Sequence, residues 1–282
     1  MKKLYIVLAA ALSASLFGVS TNKKPQTKSF ITIVQKGGKT LGYSTSSGIK
    51  ILTVDGFKFK DFNRNGKLDK YEDWRLPAHE RAVDLASQLP IEEIAGLMLY
   101  SAHQAIPANE AGFGSSTYGG QPFSKSSAQA SDLSDAQKKF LVDDNLRHVL
   151  ITTVKSPAVA AQWNNNVQSL CESIGHGIPA NNSSDPRHGT TANTEYNAGS
   201  GGKISQWPGQ LGLAATFDPA VVKEFGRIAS HEYRALGIAT DLSPQIDIAS
   251  EPRWSRVNGT FGEDPNLSVD MARAYCDGFQ SS

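Results

Sequence analysis

The sequence predicts an α/β fold organised around a parallel sheet. Two observations carry this. From Pro77 onward, apolar runs of strand length recur between segments of helix length, and several of those segments open on Ser, Asp or Pro. Strands alternating with helices of this length form βαβ units, whose right-handed crossovers make neighbouring strands parallel. The helical segments are 78–89, 134–145, 157–174, 219–236 and 265–279, with Pro at the first position of the last three and Ser or Asp just before it. The strand segments are 94–99, 149–154, 211–216 and 246–249, with a weaker one at 178–181. Two architectures satisfy this alternation, a closed (β/α)8 barrel or an open doubly wound sheet. Five strands are fewer than the eight that close a barrel. The open sheet lacks the Gly-x-Gly-x-x-Gly turn of a dinucleotide site. In either fold the binding face lies at the carboxyl ends of the strands, and the Gly-, Ser- and Ala-rich insertions 107–131 and 193–205 suit the loops that build it.

Composition narrows the function. Of 282 residues, 39% are hydrophobic and 9% aromatic, enough apolar material for a sizeable core. Lys and Arg number 28 against 27 Asp and Glu, a formal charge of +1, so the chain has no basic field of the kind that phosphate backbones require, and no nucleic-acid partner is expected. Cys171 and Cys276 are the two cysteines, too few for a disulfide scaffold; one disulfide is the most they could make, and the reading preferred is two buried free thiols.

The N-terminus reads as an address. Lys2 and Lys3 precede an apolar stretch from Leu4 to Val19, then Ser20, Thr21, Asn22, Lys23 and Lys24. This is the pattern of a secretory signal over residues 1–20, and the stretch falls short of the roughly 20 apolar residues of a spanning helix. The expected location is periplasmic or secreted, with no membrane role beyond export. Residues 21–77 form an extended arm with β-prone runs at 30–34 and 51–54.

Three polar motifs carry chemistry. The first, in the arm, places Asp61, Asn63, Asn65, Gly66, Lys67, Asp69 and Glu72 at the spacing D-x-[DN]-x-[DN]-G-x5-E. Asp61, Asn63, Asn65, the Lys67 carbonyl, Asp69 and Glu72 supply the oxygens a calcium ion needs, and Gly66 supplies the sharp turn. A structural calcium is therefore expected, against the plainer reading of a polar turn whose Asx side chains satisfy its own backbone. The strand-like run before the motif argues against the flanking helix pair of an EF-hand. The second motif, Asn181-Asn182-Ser183-Ser184-Asp185-Pro186-Arg187-His188-Gly189, gathers carboxylate, guanidinium and imidazole after a strand, where they bind hydroxyls or form a solvated turn. The third runs from Ser243 through Asp247, Glu251, Arg253, Trp254 and Arg256 to Glu263 and Asp264. Trp254 offers an apolar face to a sugar ring and the arginines offer forked donors, whereas the structural alternative pairs Arg253 and Arg256 with acids and leaves Glu263 and Asp264 as helix-start charges.

These residues, in this order, resemble glycoside hydrolase family 3. The resemblance rests on Asn182-Ser-Ser-Asp-Pro-Arg-His-Gly189, Trp207-Pro-Gly-Gln-Leu-Gly-Leu-Ala-Ala-Thr-Phe-Asp-Pro219, Glu232-Tyr-Arg-Ala-Leu-Gly237, Glu251-Pro-Arg-Trp-Ser-Arg256 and Thr260-Phe-Gly-Glu-Asp-Pro265, and it covers the chain from about Tyr71. It implies a (β/α)8 TIM-type barrel domain, here residues 78–282 and incomplete, preceded by the arm. It further implies hydrolysis of β-linked glucosides or related β-glycosides with retention, with no catalytic cofactor and an oligosaccharide or β-glycoside as partner. Asp185 is similar to the family's carboxylate that hydrogen-bonds sugar hydroxyls, and Arg256 to the arginine that contacts the same sugar. Glu251 and Ser255 stand where the family pattern has Asp and Gly. The family's Lys-His motif and its nucleophilic Asp are implied to lie beyond Ser282. Retention needs two carboxyl groups about 5 to 5.5 Å apart, so this chain is expected to stop before its nucleophile. The alternative reading is a non-catalytic carbohydrate-binding or assembly protein derived from the same fold.

Overall fold

A computed structural model describes residues 30–185, 188–189 and 204–281. The expected export signal, the first part of the arm, Pro186, Arg187 and most of the insertion 193–205 lie outside the described residues.

The arm folds as two antiparallel hairpins, β1 (Phe30–Ile33) with β2 (Leu41–Ser44) and β3 (Lys50–Val54) with β4 (Phe57–Asp61). Both β-prone runs of the sequence are thus strands, each given a partner by a turn. Phe59 is fully buried at the centre of β4 and stacks on Trp74 at 5.2 Å between ring centroids. The polar loop 62–69 and a single 3-10 turn at Lys70–Glu72 then lead to α1 (Ala78–Gln88) and α2 (Ile91–Leu97).

The main sheet has five strands in the order β6-β5-β7-β8-β9, all parallel: β5 (Gln104–Asn109), β6 (Gly114–Ser115), β7 (His148–Val154), β8 (Asn181–Ser184) and β9 (Thr240–Asp241). Between them run α3 (Asp135–Val142), α4 (Pro157–Ser173), α5 (Gln210–Ala214) and α6 (Pro219–Leu236), and α7 (Pro265–Phe279) follows. The helix starts obey local chemistry. Ser156 accepts from Val159 N at 3.3 Å, Asp218 from Ala220 N at 2.9 Å and Asp264 from Leu267 N at 2.8 Å, each just before a Pro that has no N–H to satisfy. Helix α6 ends at Gly237, whose φ of 81° and whose missing Cβ, which would meet Asn164 at 2.4 Å, exclude larger residues there.

The core has two parts. One packs Val149 and Ile151 of β7 and Ile106 of β5 against Trp163, Val167 and Cys171 of α4 and Leu141 of α3. The other joins Leu213, Phe225, Met271, Tyr275 and Phe261 among α5, α6 and α7. Burial pushes the Cys171 thiol up to about 11. Cys276, expected to be buried, is exposed, because Ser268, Met271, Ala274, Tyr275 and Gly278 make the inward face of α7 and residue 276 falls on the other side.

The five-strand count hides three misread segments. Residues 94–99 are not a strand: Pro90 and the acidic first turn of Glu92 and Glu93 start α2 instead. Residues 211–216 form α5 and its cap, after Pro208 and Gly209, and bury Leu213 and Ala214 on the helical side of the core. Residues 246–249 join no ladder, and Ile246 and Ile248 are exposed; the strand there is the two-residue β9, immediately after the Gly237 stop. Short apolar runs do not distinguish a strand from a buried helical turn by periodicity. Conversely β5 covers 104–106, to which the sequence reading gives no element, and the first three residues of the insertion 107–131. The ladder to β7 uses Gln104, Ala105 and Ile106, ahead of Pro107. The weak segment 178–181 is realised as β8, shifted toward the carboxyl side.

Candidate functional site

Asp185 directly follows β8, at the carboxyl end of the parallel sheet. Its backbone is pinned rather than loose: the Tyr233 hydroxyl, from buried α6, donates to the Asp185 carbonyl at 2.5 Å. Beside it the Tyr100 hydroxyl hydrogen-bonds Ser183 Oγ, and burial, then the charge of Asp185, push the Tyr100 phenol above its ordinary value, so it stays protonated. Farther along, His188 is buried at 2% exposure and its Nε2 lies 2.8 Å from Glu232 Oε2. Glu232 also accepts from Ser205 N at 2.9 Å and Ser205 Oγ at 2.7 Å, and Trp207 Nε1 donates to Ser205 Oγ at 3.0 Å. Burial works against ionising Glu232, but the Ser205 hydroxyl and N–H and the His188 ring outweigh it and hold the carboxyl below the usual range.

One strand over, β9 ends at Asp241, the ladder partner of Ser184, and Asp241 Oδ2 accepts from the buried Tyr275 hydroxyl at 2.8 Å. The chain then runs through 242–264 to α7. Arg256 is exposed and precedes the 3-10 turn Val257–Gly259, which packs on α5, and Phe261, 1% exposed, anchors that loop in the core. A Cβ on Gly259 would meet Gln245 Oε1 at 2.7 Å, so the two limbs of the loop touch. Arg253 forks onto Glu251, with Nε to Oε1 and Nη2 to Oε2 both at 2.8 Å, and these contacts hold the Glu251 carboxyl down to about 2. Arg253 and Asp264 therefore serve structure, the second as the α7 cap, and Asp247 stands exposed on an unpaired stretch. Trp254 is half-buried. The structure brings Asp185 and Arg256 to the loops that leave two neighbouring parallel strands at the same end.

The polar loop of the arm closes on itself. Asp61, fully buried, accepts from Gly66 N at 3.0 Å, and Gly66 has a φ of 78°. Asn63 Oδ1 accepts from Asn65 N at 3.1 Å and Asn65 Oδ1 from Lys67 N at 2.7 Å. The two Asn amides donate to Asp69 Oδ2 at 2.6 and 2.7 Å. Glu72 accepts from Phe62 N at 2.7 Å and from Asp69 N at 3.1 Å, and burial pushes its carboxyl up. Among the described residues, no three His, Cys, Asp or Glu side chains gather as a ready metal cluster.

Some anchoring groups were not legible as such. Tyr100 and Tyr233 act by their hydroxyls on one strand end and Tyr275 on the next, and a tyrosine in an apolar run signals core before it signals a polar contact. The signal that could have found Tyr233 and Tyr275 is that a buried tyrosine needs a partner for its O–H.

Asp185 and Asp241 thus stand at the carboxyl ends of neighbouring strands of a parallel α/β sheet, the end at which such sheets carry their ligand sites. The chain matches the glycosyl hydrolase family 3 N terminal domain over residues 119–282, and it belongs to that family. It is 44% identical over 236 residues to a periplasmic beta-glucosidase/beta-xylosidase of Dickeya chrysanthemi, covering 83% of this chain and 33% of that one. It is 32% identical over 241 residues to a probable beta-glucosidase C of Aspergillus oryzae, covering 83% and 35%. The chain thus spans about a third of the length of these curated relatives. Among solved structures it is similar in fold to a β-glucosidase from Erythrobacter marinus, with a TM-score of 0.55 and 23% identity over 76% of this chain and 24% of that one.

Proposed function

We propose that this chain is the sugar-binding part of an exported β-glycosidase of the β-glucosidase type, in which Asp185 and Arg256 grip the hydroxyls of one pyranose ring. The single observation that carries this reading is their placement on the loops after β8 and β9, adjacent strands of one parallel sheet. The named activities of the two curated relatives support a β-glucoside or β-xyloside as substrate. The five-stranded sheet is read as part of a (β/α)8 barrel. Leu242, Ile246 and Ile248, exposed just beyond edge strand β9, suit a continuing barrel wall. Export follows from residues 1–20, and among the described residues no helix is long and apolar enough to cross a membrane.

The chemistry follows from the groups present. An ionised Asp185 accepts from two vicinal hydroxyls, and charge-assisted bonds of this kind are stronger than neutral ones. Arg256 contributes a planar fork of donors to the same ring, and the Tyr233 and Tyr100 contacts hold the Asp185 backbone and its neighbour Ser183 in place. Retention requires a nucleophilic carboxylate and a second carboxyl as acid and base; no residue of this chain is assigned to either role. Calorimetric titration of glucose and of xylose into the full chain is expected to show binding that Asp185→Asn weakens about 10- to 100-fold, the worth of one charged hydrogen bond. Equal affinity in the variant, or no binding of either sugar, contradicts the reading.

A further inference from the structure

We propose that the loop 61–72 is a calcium site that clasps the N-terminal hairpins to the α/β body. The argument begins with one atom. Asp61 is 0% exposed, and while its Oδ2 takes the Gly66 N–H, its Oδ1 is buried without a hydrogen-bond partner among the described residues. A carboxylate oxygen withdrawn from water and given no donor is costly, and such groups are normally paired or bound to a cation. Because the other oxygen is held by Gly66 on the far side of the turn, the carboxyl lies inside the loop.

Along the chain, the rest of the loop offers the oxygen donors a hard cation takes. Asn63 and Asn65 carbonyl oxygens are each set by the backbone N–H two residues on, and Asp69 and Glu72 complete the oxygen set at spacing 1, 3, 5, 9 and 12. Asp69 starts the final turn and Glu72 reaches back to its N–H at 3.1 Å, so the last ligand is held by a capping box. The donors are mixed amide and carboxylate oxygens, which suits calcium rather than a transition metal. In the arrangement described, the amide nitrogens of Asn63 and Asn65 occupy Asp69 Oδ2, and a bound cation would take over that charge.

The position of the loop gives the ion its role. Phe62 packs so closely on Gly177 that a Cβ there would meet its ring at 2.5 Å. Arg64 Nη2 donates to the Ser47 carbonyl at 3.1 Å and to the Glu172 carbonyl at the end of α4 at 2.9 Å. Beyond the loop, Tyr71 N donates to Asp84 of α1 at 3.1 Å and Arg81 returns a bond to the Tyr71 carbonyl at 3.0 Å. Ordering the loop therefore orders contacts to the turn that joins the two hairpins, to α1 and to α4 together.

Calcium chloride titrated by calorimetry into the full chain, first stripped with a chelator, is expected to bind at one equivalent. At a hundredfold excess over Kd it should raise Tm by about 5 °C, and magnesium at the same concentration should not. Asn65→Ala, at an exposed position, is expected to keep the wild-type circular dichroism in chelator and to weaken calcium about tenfold. Asp61→Asn, which removes the charge while keeping the volume, is expected to abolish binding. No calcium-dependent heat or Tm shift, an equal shift with magnesium, or unchanged affinity in Asn65→Ala overturns the proposal, and the last holds even if Asp61→Asn fails to fold.

Discussion

Single side chains in this protein act mostly by fixing loops. Asp135 shows how a surface carboxylate does so: its oxygens accept from Gly120 N and Gly119 N, both at 2.9 Å, and from the Thr117 hydroxyl at 2.7 Å, and these contacts hold it down to about 2. A carboxyl whose folded value lies below its unfolded one stabilises the fold above the unfolded value, near 4, and loses that contribution as pH falls toward 2. Thermal melts of the wild type are expected to drop across pH 4 to 2, and those of Asp135→Asn to start lower and drop less over that window; identical slopes would contradict the assignment. At this scale the sequence was legible where a motif states its own chemistry. Asp264 reads as a helix start and is one, and Arg253 pairs with Glu251, which the charge spacing allows. Tyr233 and Tyr100 were not legible because their partners, the Asp185 carbonyl and Ser183, come from strands distant in sequence.

Among elements, the long helices were readable and the short pieces were not. Residues 219–236 and 265–279 carry Asp-Pro starts and amphipathic faces over four or more turns, so local signals agree over the whole length. Segments 94–99 and 211–216 hold six residues each, too few to show a period; the Pro90 start and acidic first turn account for the first as helix, and the burial of Leu213 and Ala214 for the second. The best-defined contact between elements is the α6–α7 crossing, where Gly226 and Gly278 let the backbones approach: a Cβ on Gly278 would lie 2.3 Å from the Lys223 carbonyl oxygen, and one on Gly226 2.7 Å from the Tyr275 carbonyl oxygen. Backbone cannot yield as a side chain can. Gly278→Ala is expected to destabilise by about 1 to 3 kcal/mol despite the gain in helix propensity, measured as a shift of the urea midpoint. A variant as stable as the wild type would show that the helices are not in close contact there.

Across the whole molecule, two devices hold one sheet in register with its surroundings. The arm is locked to α4 by Lys60 and Ser44 on the Glu172 carboxylate and by Arg64 on the Glu172 carbonyl. At the other end, α6 supplies Tyr233 and Glu232 and α7 supplies Tyr275, so the strand ends that carry Asp185 and Asp241 rest on the most deeply packed helices. That arrangement is what makes a sugar site on the β8 and β9 loops physically reasonable, since a binding group is only as well placed as its support. The most direct test is an amide chemical-shift map of the full chain titrated with glucose. Perturbations are expected to cluster around Asp185 and Arg256, on the two loops after β8 and β9. Shifts confined to other faces of the molecule, or none at saturating sugar, would contradict the carbohydrate site.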